Sequence, residues 1–450
     1  MINITGKIKN LYNRYIPLPD YYGDNFKKIH AFLSRNQKCS REQIAKYKLD
    51  SLKALVAHAE MNVPYYQDLF KKNRIASRDI NSLEDFKQIP VLTKNLLREN
   101  LDRLKAGNYK NYNPVWTQTS GTTSRMTALY RSSYHESFRK AAVWRFFQQF
   151  GYDFKQKRVS LVCRNFDKKS KLSELDRIEN NLVINTYHII NRRNKEVVEN
   201  IRNFGPRLIW SHPTPLSIVG EYILANDLPP IKVPLIAHYS EIMYPHVRKI
   251  LEQAFQARFI DYYGNRENTI GAWGYSDGIF FEISEYCHLE IDNPPDPKQP
   301  NRGDIISTSL HNYAVPLIRY HSEDLGVALD YPNPEIAYPA FQLLGGRGKD
   351  LLLTRDGLTV PYFLAYIDKM NFNKLKKYQM EQVSLDEILL RVVPNERYEK
   401  AVDESLLLKY AEQAIAGKFR FRLEYVDDIP LTKNGKYRSV ISQLAIEAVS

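Results

Sequence analysis

The chain has 450 residues, of which 43% are apolar and 26% charged, and its 64 basic and 51 acidic side chains leave a net charge of +13. That length calls for two or three domains around a large core. The composition excludes a disordered chain, and three scattered cysteines, Cys39, Cys163 and Cys287, exclude a disulfide scaffold and suit a reducing cytoplasm. No apolar run approaches the roughly 18 residues needed to cross a bilayer, and Met1–Lys9 lacks a secretory pattern, so a cytoplasmic protein without a transmembrane segment is expected. Residues 26–70 read as helical up to Pro64, and Thr93 is placed to cap a helix after the Pro90 turn. A second helix is expected over 134–150, with Trp144, Phe147 and Phe150 on its apolar side. Short apolar runs follow at Val159–Cys163, Leu182–Ile184, Leu208–Trp210, Leu235–Ala237 and Phe259–Tyr263. Separated by helical stretches, they predict buried, largely parallel strands in a βαβ arrangement. From about 280 to 345 strand patterns dominate. The glycine-dense turn Gly345–Asp350 then reads as a linker to a small α+β domain, giving expected domains 1–345 and 346–450.

The stretch Thr119-Ser120-Gly121-Thr122-Thr123-Ser124-Arg125 has no apolar period and cannot serve a core. It can wrap an anion, because Gly121 frees the backbone, hydroxyls and amides donate, and Arg125 adds fixed charge. The Gly-Lys-Ser/Thr ending of the common P-loop is missing. Alone, the peptide reads better as a Ser/Thr-rich surface turn. Further segments follow in order: Asp261-Tyr262-Tyr263-Gly264-Asn265-Arg266-Glu267 at a strand end, Arg319 to Asp324, Gly346-Arg347-Gly348-Lys349-Asp350, and a basic loop, Pro430 to Arg438, containing Gly435 and Lys436. Strand ends are where α/β sheets meet ligands.

Taken in this order, the segments resemble the adenylate-forming superfamily of acyl- and aryl-CoA ligases, and within it the phenylacetate–CoA ligase family and its CapK-like branch. The likeness also takes in Asn62-Val63-Pro64-Tyr65-Tyr66, Pro90-Val91-Leu92-Thr93-Lys94 and Gly303 to Asn312. It implies an α/β fold in which a large N-terminal domain of βαβ layers and a β-rich subdomain carries a small mobile α+β C-terminal domain. It implies that Thr119, Ser120, Gly121, Thr122, Thr123 and Arg125 hold the ATP phosphates, with Tyr263 and Gly264 near the adenine. Asp324 would take the ribose hydroxyls, Arg347 the ribose or phosphate, and Glu267 with Thr122 the Mg²⁺. Asp350 would be the hinge and Lys436 the catalytic lysine. Ser124 and Glu323 stand where the family has glycine, and Arg125-Met126 replaces Lys-Pro.

Apolar surroundings suggest an acyl pocket near Trp210, His238 and Tyr239, with core packing as the equal alternative. The implied activity joins a carboxylic acid to AMP at the expense of ATP and passes the acyl group to CoA, or to an amine or hydroxyl on a sugar or amino acid. Surface polysaccharide modification and phenylacetate-type catabolism are both open, and nucleic acid is not an expected partner. The competing reading is a non-catalytic protein that docks through its basic face.

Overall fold

The computed structural model describes residues 17–118, 128–162, 171–190, 193–241, 243, 245–292, 301–346, 352–353, 359–360, 374–414, 419–430 and 440–442. The N-terminal stretch folds as three helices, Asp24–Asn36, Arg41–Asn62 and Pro64–Asn73, where the sequence suggested one run up to Pro64. Ser40 causes the first break. Its hydroxyl accepts from Gln43 N while the Gln43 side chain accepts from Ser40 N, so two amides orphaned by the helix start are satisfied. Pro64 causes the second, ending one helix and opening the next where its missing N–H is not needed. Thr93 caps Lys94–Glu99 as expected, accepting from Leu96 N at 3.3 Å.

Strands β1 (Val115–Gln118) and β2 (Ala128–Arg131) pair antiparallel and flank the 119–127 loop. Ser132 then caps the helix Ser133–Gln149. The large sheet has twelve strands. Its first half contains β3 (Arg158–Val162), β4 (Ser173–Asp176), β5 (Asn181–Asn185), β6 (Leu208–Ser211), β7 (Ile231–Tyr239) and β8 (Phe255–Gly264). The five apolar runs of the sequence lie in it, the first as far as Val162, and β5, β3, β6, β7 and β8 are parallel neighbours in that order. Side chains alternate across them. Ile209, Ile236 and Phe259 face the crossover helices Pro213–Ala225 and Pro245–Ala254, while Leu208, Ala237 and Tyr262 face the 133–149 helix.

The second half is antiparallel: β9 (Gly271–Gly274), β10 (Ile279–Glu282), β11 (Cys287–Asp292), β12 (Arg302–Ser309), β13 (Tyr320–Leu329) and β14 (Ala340–Gly346). The β-rich segment is therefore a continuation of the same sheet, running β8-β9-β10-β14-β13-β12-β11. It also curls. In a flat sheet, four strand steps from β8 to β13 would span about 19 Å, yet Tyr263 O–H donates to Asp324 Oδ2 at 2.5 Å. The curl closes around Ile270, Ala272, Phe280, Ile305 and Phe341.

Near the C terminus lie a two-stranded pair, β15 (Leu352–Leu353) and β16 (Thr359–Val360), and a four-stranded sheet. The latter contains β17 (Leu375–Ser384), β18 (Glu387–Pro394), β19 (Arg420–Tyr425) and β20 (Val440–Ser442), with the helix Lys400–Ala414. Met380, Ile388, Leu390, Leu407 and Ala411 give this region a core of its own, so the small α+β unit is present. No helix among the described residues is long and apolar enough to cross a membrane.

Candidate active site

Two motifs that look unremarkable in sequence fix the strand that carries Asp324. Tyr66 is fully buried; its hydroxyl donates to Pro316 O at 3.3 Å and accepts from Ile318 N at 2.9 Å. Leu92 continues the clamp, with Leu92 N donating to Arg319 O at 2.9 Å and its carbonyl accepting from His321 N at 3.0 Å. Between them Arg319 is buried, bound to Glu290 through Nε at 3.1 Å and to the Lys87 and Ile89 carbonyls at 2.6 Å. Asn62–Tyr66 and Pro90–Lys94 are thus braces for residues 316–324, and Arg319 is a structural ion pair.

Glu323 has φ +66°, a left-handed backbone that glycine adopts freely and a glutamate does not. Its carboxylate is held by Lys94 Nζ at 2.7 Å, a contact that a glycine could not make. Asp324 follows, with its amide donating to Ser322 Oγ at 3.2 Å and its carboxylate accepting from Tyr263. Burial, and then the neighbouring Asp324 charge, push the Tyr263 phenol above its ordinary value. Space beside it is tight at Gly264: a Cβ there would meet the Tyr262 ring at 3.0 Å and the Ile270 carbonyl at 3.3 Å. Glu267 is half-buried and accepts from Tyr320 O–H at 3.2 Å. Thr269 and Ser307 hydroxyls share a 2.7 Å hydrogen bond across the same curl.

Tyr263, Gly264, Glu267 and Asp324, which lie up to 61 residues apart, therefore gather at one mouth of the curled sheet. Among the described residues no group of three or more His, Cys, Asp or Glu forms a metal cluster. A lone carboxylate such as Glu267 still fits Mg²⁺, which keeps several waters and takes phosphate oxygens for the rest. The loop residues Thr119, Ser120, Gly121, Thr122, Thr123 and Arg125, together with Arg347, Asp350 and Lys436, lie outside the described residues. Residues on either side of the Lys436 loop, Ile429 and Val440, are buried.

The residues grouped as an acyl pocket separate. Trp210 and Tyr239 stack at 4.3 Å on the face toward the 133–149 helix. His238, one residue from Tyr239 on β7, points to the opposite face. There its Nε2 is 2.6 Å from Ser276 Oγ, and its Nδ1 is 3.2 Å from Asp261 Oδ1 without a hydrogen bond between them. Burial disfavours the charged form of both groups, taking His238 down to about 3 and Asp261 well up. His238 anchors the β9–β10 turn and does not line a pocket with Trp210. Cys287 and His288 are both buried, and burial pushes the thiol up, leaving it inert.

The Trp210 face holds a feature that the sequence reading missed. A cavity of about 150 Å³ lies between the 133–149 helix and the sheet, walled by Trp144, Phe147 and Trp210 and by the charged groups of Arg139, Lys140, Arg158 and Glu179. The signal was present, since Lys140, Trp144 and Phe147 are spaced to share one helix face.

Comparison with known proteins agrees with this architecture. Residues 352–443 match the CapK C-terminal domain. The chain is 23% identical to protein CapK of Staphylococcus aureus, covering 99% of this chain and 96% of that one. It is 23% identical to phenylacetate-coenzyme A ligase of Pseudomonas putida over 72% of this chain and 75% of that one. Among solved structures, a 2-hydroxyisobutyryl-CoA ligase in the postadenylation state superposes with a TM-score of 0.71 at 19% identity, covering 90% of this chain and 91% of that chain. The chain therefore has the fold of 2-hydroxyisobutyryl-CoA ligase and is similar to protein CapK along nearly its whole length.

Proposed function

We propose that the protein activates a carboxylic acid with ATP, forming an acyl-adenylate and pyrophosphate, and then passes the acyl group to CoA or to an amine or hydroxyl acceptor. The observation that carries this reading is the Tyr263–Asp324 hydrogen bond across the curled sheet, with Glu267 held beside it. A carboxylate such as Asp324 in such a mouth accepts from a vicinal diol, and a second carboxylate, Glu267, suits Mg²⁺ on the phosphates. The likeness to CapK and to adenylate-forming ligases along nearly the whole chain supports the same reading.

In this scheme the acid's carboxylate attacks the α-phosphorus and pyrophosphate leaves. Two anions must meet, so fixed positive charge is needed at the phosphate, and Lys436 and Arg125 would supply it. Mg²⁺ would neutralise the leaving pyrophosphate. Residues 346–450 would then turn about Asp350, withdrawing Lys436 and admitting the acceptor. A role in surface polysaccharide modification rests on the CapK likeness, with CoA as the alternative acceptor.

The test is acid-dependent exchange of labelled pyrophosphate into ATP, screened over carboxylic acids, with CoA, amines and hydroxylamine then added to identify the acceptor. Lys436→Ala should lose exchange by about two to three orders of magnitude while retaining transfer from a supplied adenylate. Equal losses in both steps would remove its assigned role.

A further inference from the structure

We propose that His321 is a positioning residue for the nucleotide. Its neutral imidazole pins the bulge that presents Asp324, and protonation of the ring withdraws the pin, so that nucleotide binding weakens with acidity. The inference rests on the reading of Asp324 as the nucleotide contact and adds what holds that contact in place.

Strand register creates the bulge. Asp304 pairs with Leu325 and Ile306 with His321, so Ile305 alone on β12 faces Ser322, Glu323 and Asp324 on β13. A bulge re-aims a side chain, but the amides it takes out of the ladder need other partners. Two side chains next to them serve. The Glu323 amide donates to His321 Nδ1 at 3.2 Å, and the Asp324 amide donates to Ser322 Oγ at 3.2 Å. Each bond joins a side chain to the amide two residues on, the pattern by which Asn, Asp and Ser close turns. The first bond falls on Glu323, the residue with φ +66°. Ser322 is anchored in turn, its hydroxyl donating to Ile305 O at 2.7 Å.

Hydrogen-bond chemistry fixes the state of the ring. Nδ1 accepts the Glu323 amide only through its lone pair, so the proton of the neutral ring lies on Nε2, 3.2 Å from Asp304 Oδ2. A second proton would go to Nδ1. That nitrogen would then be a donor facing the Glu323 N–H, and the pin would be lost. The bond to Asp304 behaves in reverse and strengthens when the ring is charged. The two ends of one imidazole therefore favour opposite protonation states.

The surrounding charges set where the change falls. Asp304 lies directly opposite Asp292 on β11, whose own nearby cation is Arg319 at 3.7 Å, so Asp304 gains from a charged His321. Glu323, paired with Lys94, and Asp324 add two more carboxylates. The bond to Asp304 and these charges outweigh burial and raise the His321 pKa above its ordinary value, toward neutral pH. The side chain is 23% exposed, so solvent protons reach it. The pinned, neutral ring prevails above that pKa and is lost as pH falls through it. Below it, the binding-competent fraction drops about tenfold per pH unit.

The test measures adenosine binding to the full-length protein by calorimetry at pH 8 and at pH 5.5, a range in which adenosine itself does not titrate. Wild-type affinity is expected to fall by about tenfold. His321→Asn places an acceptor oxygen where Nδ1 stands and carries no titrating ring. It should keep its pH 8 affinity at pH 5.5 to within about twofold. His321→Leu should bind about tenfold more weakly than the wild type at pH 8. An acid-dependent loss that persists in His321→Asn would overturn the proposal, as would wild-type affinity in His321→Leu. Nitrogen NMR of the ring reads the pin without any ligand: the Nε2–H tautomer is expected at pH 8, and the Nδ1–H tautomer would overturn it. If that tautomer were found, and the Glu323 amide lost its exchange protection on protonation, yet adenosine bound at neither pH, Asp324 would be refuted as the nucleotide contact. The effect of His321 on affinity would fall with it, and the pin would stand.

Discussion

The two halves of the twelve-stranded sheet are built by different physics. The parallel half is held by burial: Val159, Ile184, Ile209, Ile236 and Phe255 sit in one continuous apolar layer. The antiparallel half divides its apolar residues among three separate clusters and is tied in addition by polar contacts between residues far apart in sequence, including Lys94 to Glu323, Tyr66 to Pro316 and Ile318, and Arg319 to Glu290. Burial is non-directional and tolerates small changes, whereas an interior ion pair is costly to break on one side. The half that carries Asp324 and braces its strand is therefore the half with the least tolerance.

The largest expected effect follows from that contrast. Arg319→Met should lose about 3–5 kcal/mol in urea unfolding, because Glu290 and two carbonyls would be left buried without their donor. Ile236→Val, in the parallel layer, should lose only about 1 kcal/mol. Similar losses for the two would erase the distinction.

Acid sensitivity should divide in the same way. His135, His288 and His311 pack against the antiparallel half, and burial takes them down to about 3, well below their ordinary value, and to about 4, respectively. Their folded values lie below the unfolded value of about 6.5. The unfolded chain therefore binds protons that the native chain does not, and stability is lost as pH falls below about 6.5. Each histidine contributes about 1.4 kcal/mol per pH unit. In the parallel half His238 has the same sign, but Asp261, raised by burial, takes up a proton on folding and offsets it. Each of these histidines should therefore lower urea stability by about 1 kcal/mol between pH 6 and 5, with His321, raised by its bond to Asp304, opposing the fall, and His311→Gln should make the slope shallower. An unchanged slope in that variant would place the acid-sensitive groups elsewhere.

The smallest effect concerns Glu323. In a Lys94→Met background, Glu323→Gly should stabilise by about 1 kcal/mol by relieving the left-handed backbone. With Lys94 present the gain should shrink, because the ion pair is lost with the glutamate. A double-mutant cycle in urea checks this, and no difference between backgrounds would separate the salt bridge from the strain.

The same division explains what was legible in the sequence. The apolar runs of the parallel half announce themselves locally, and each is a strand. The continuation of the sheet through β10 and β14 was not legible, because Ile279 pairs with Gln342 across more than sixty residues and no local pattern encodes that choice. The 37–40 helix break was legible but unread, since Ser40 and Gln43 form a capping box. His238 was grouped with Tyr239 by adjacency, which strand alternation reverses. The glycine position before Asp324 was marked by resemblance, and the structure supplies the reason in the φ of Glu323. Arg139 and Lys140 escaped notice because charged residues on a helix usually face water, and only the fold shows that these face a cavity.

The most direct test of the central claim is equilibrium binding of ATP with Mg²⁺ to the wild type and to Asp324→Asn. The expected result is micromolar-to-millimolar binding that weakens by about tenfold in the variant, with urea stability changed by less than about 1 kcal/mol. Equal affinity in the two proteins would contradict the claim that the Tyr263–Asp324 mouth holds the nucleotide, and so would a wild type that binds no ATP.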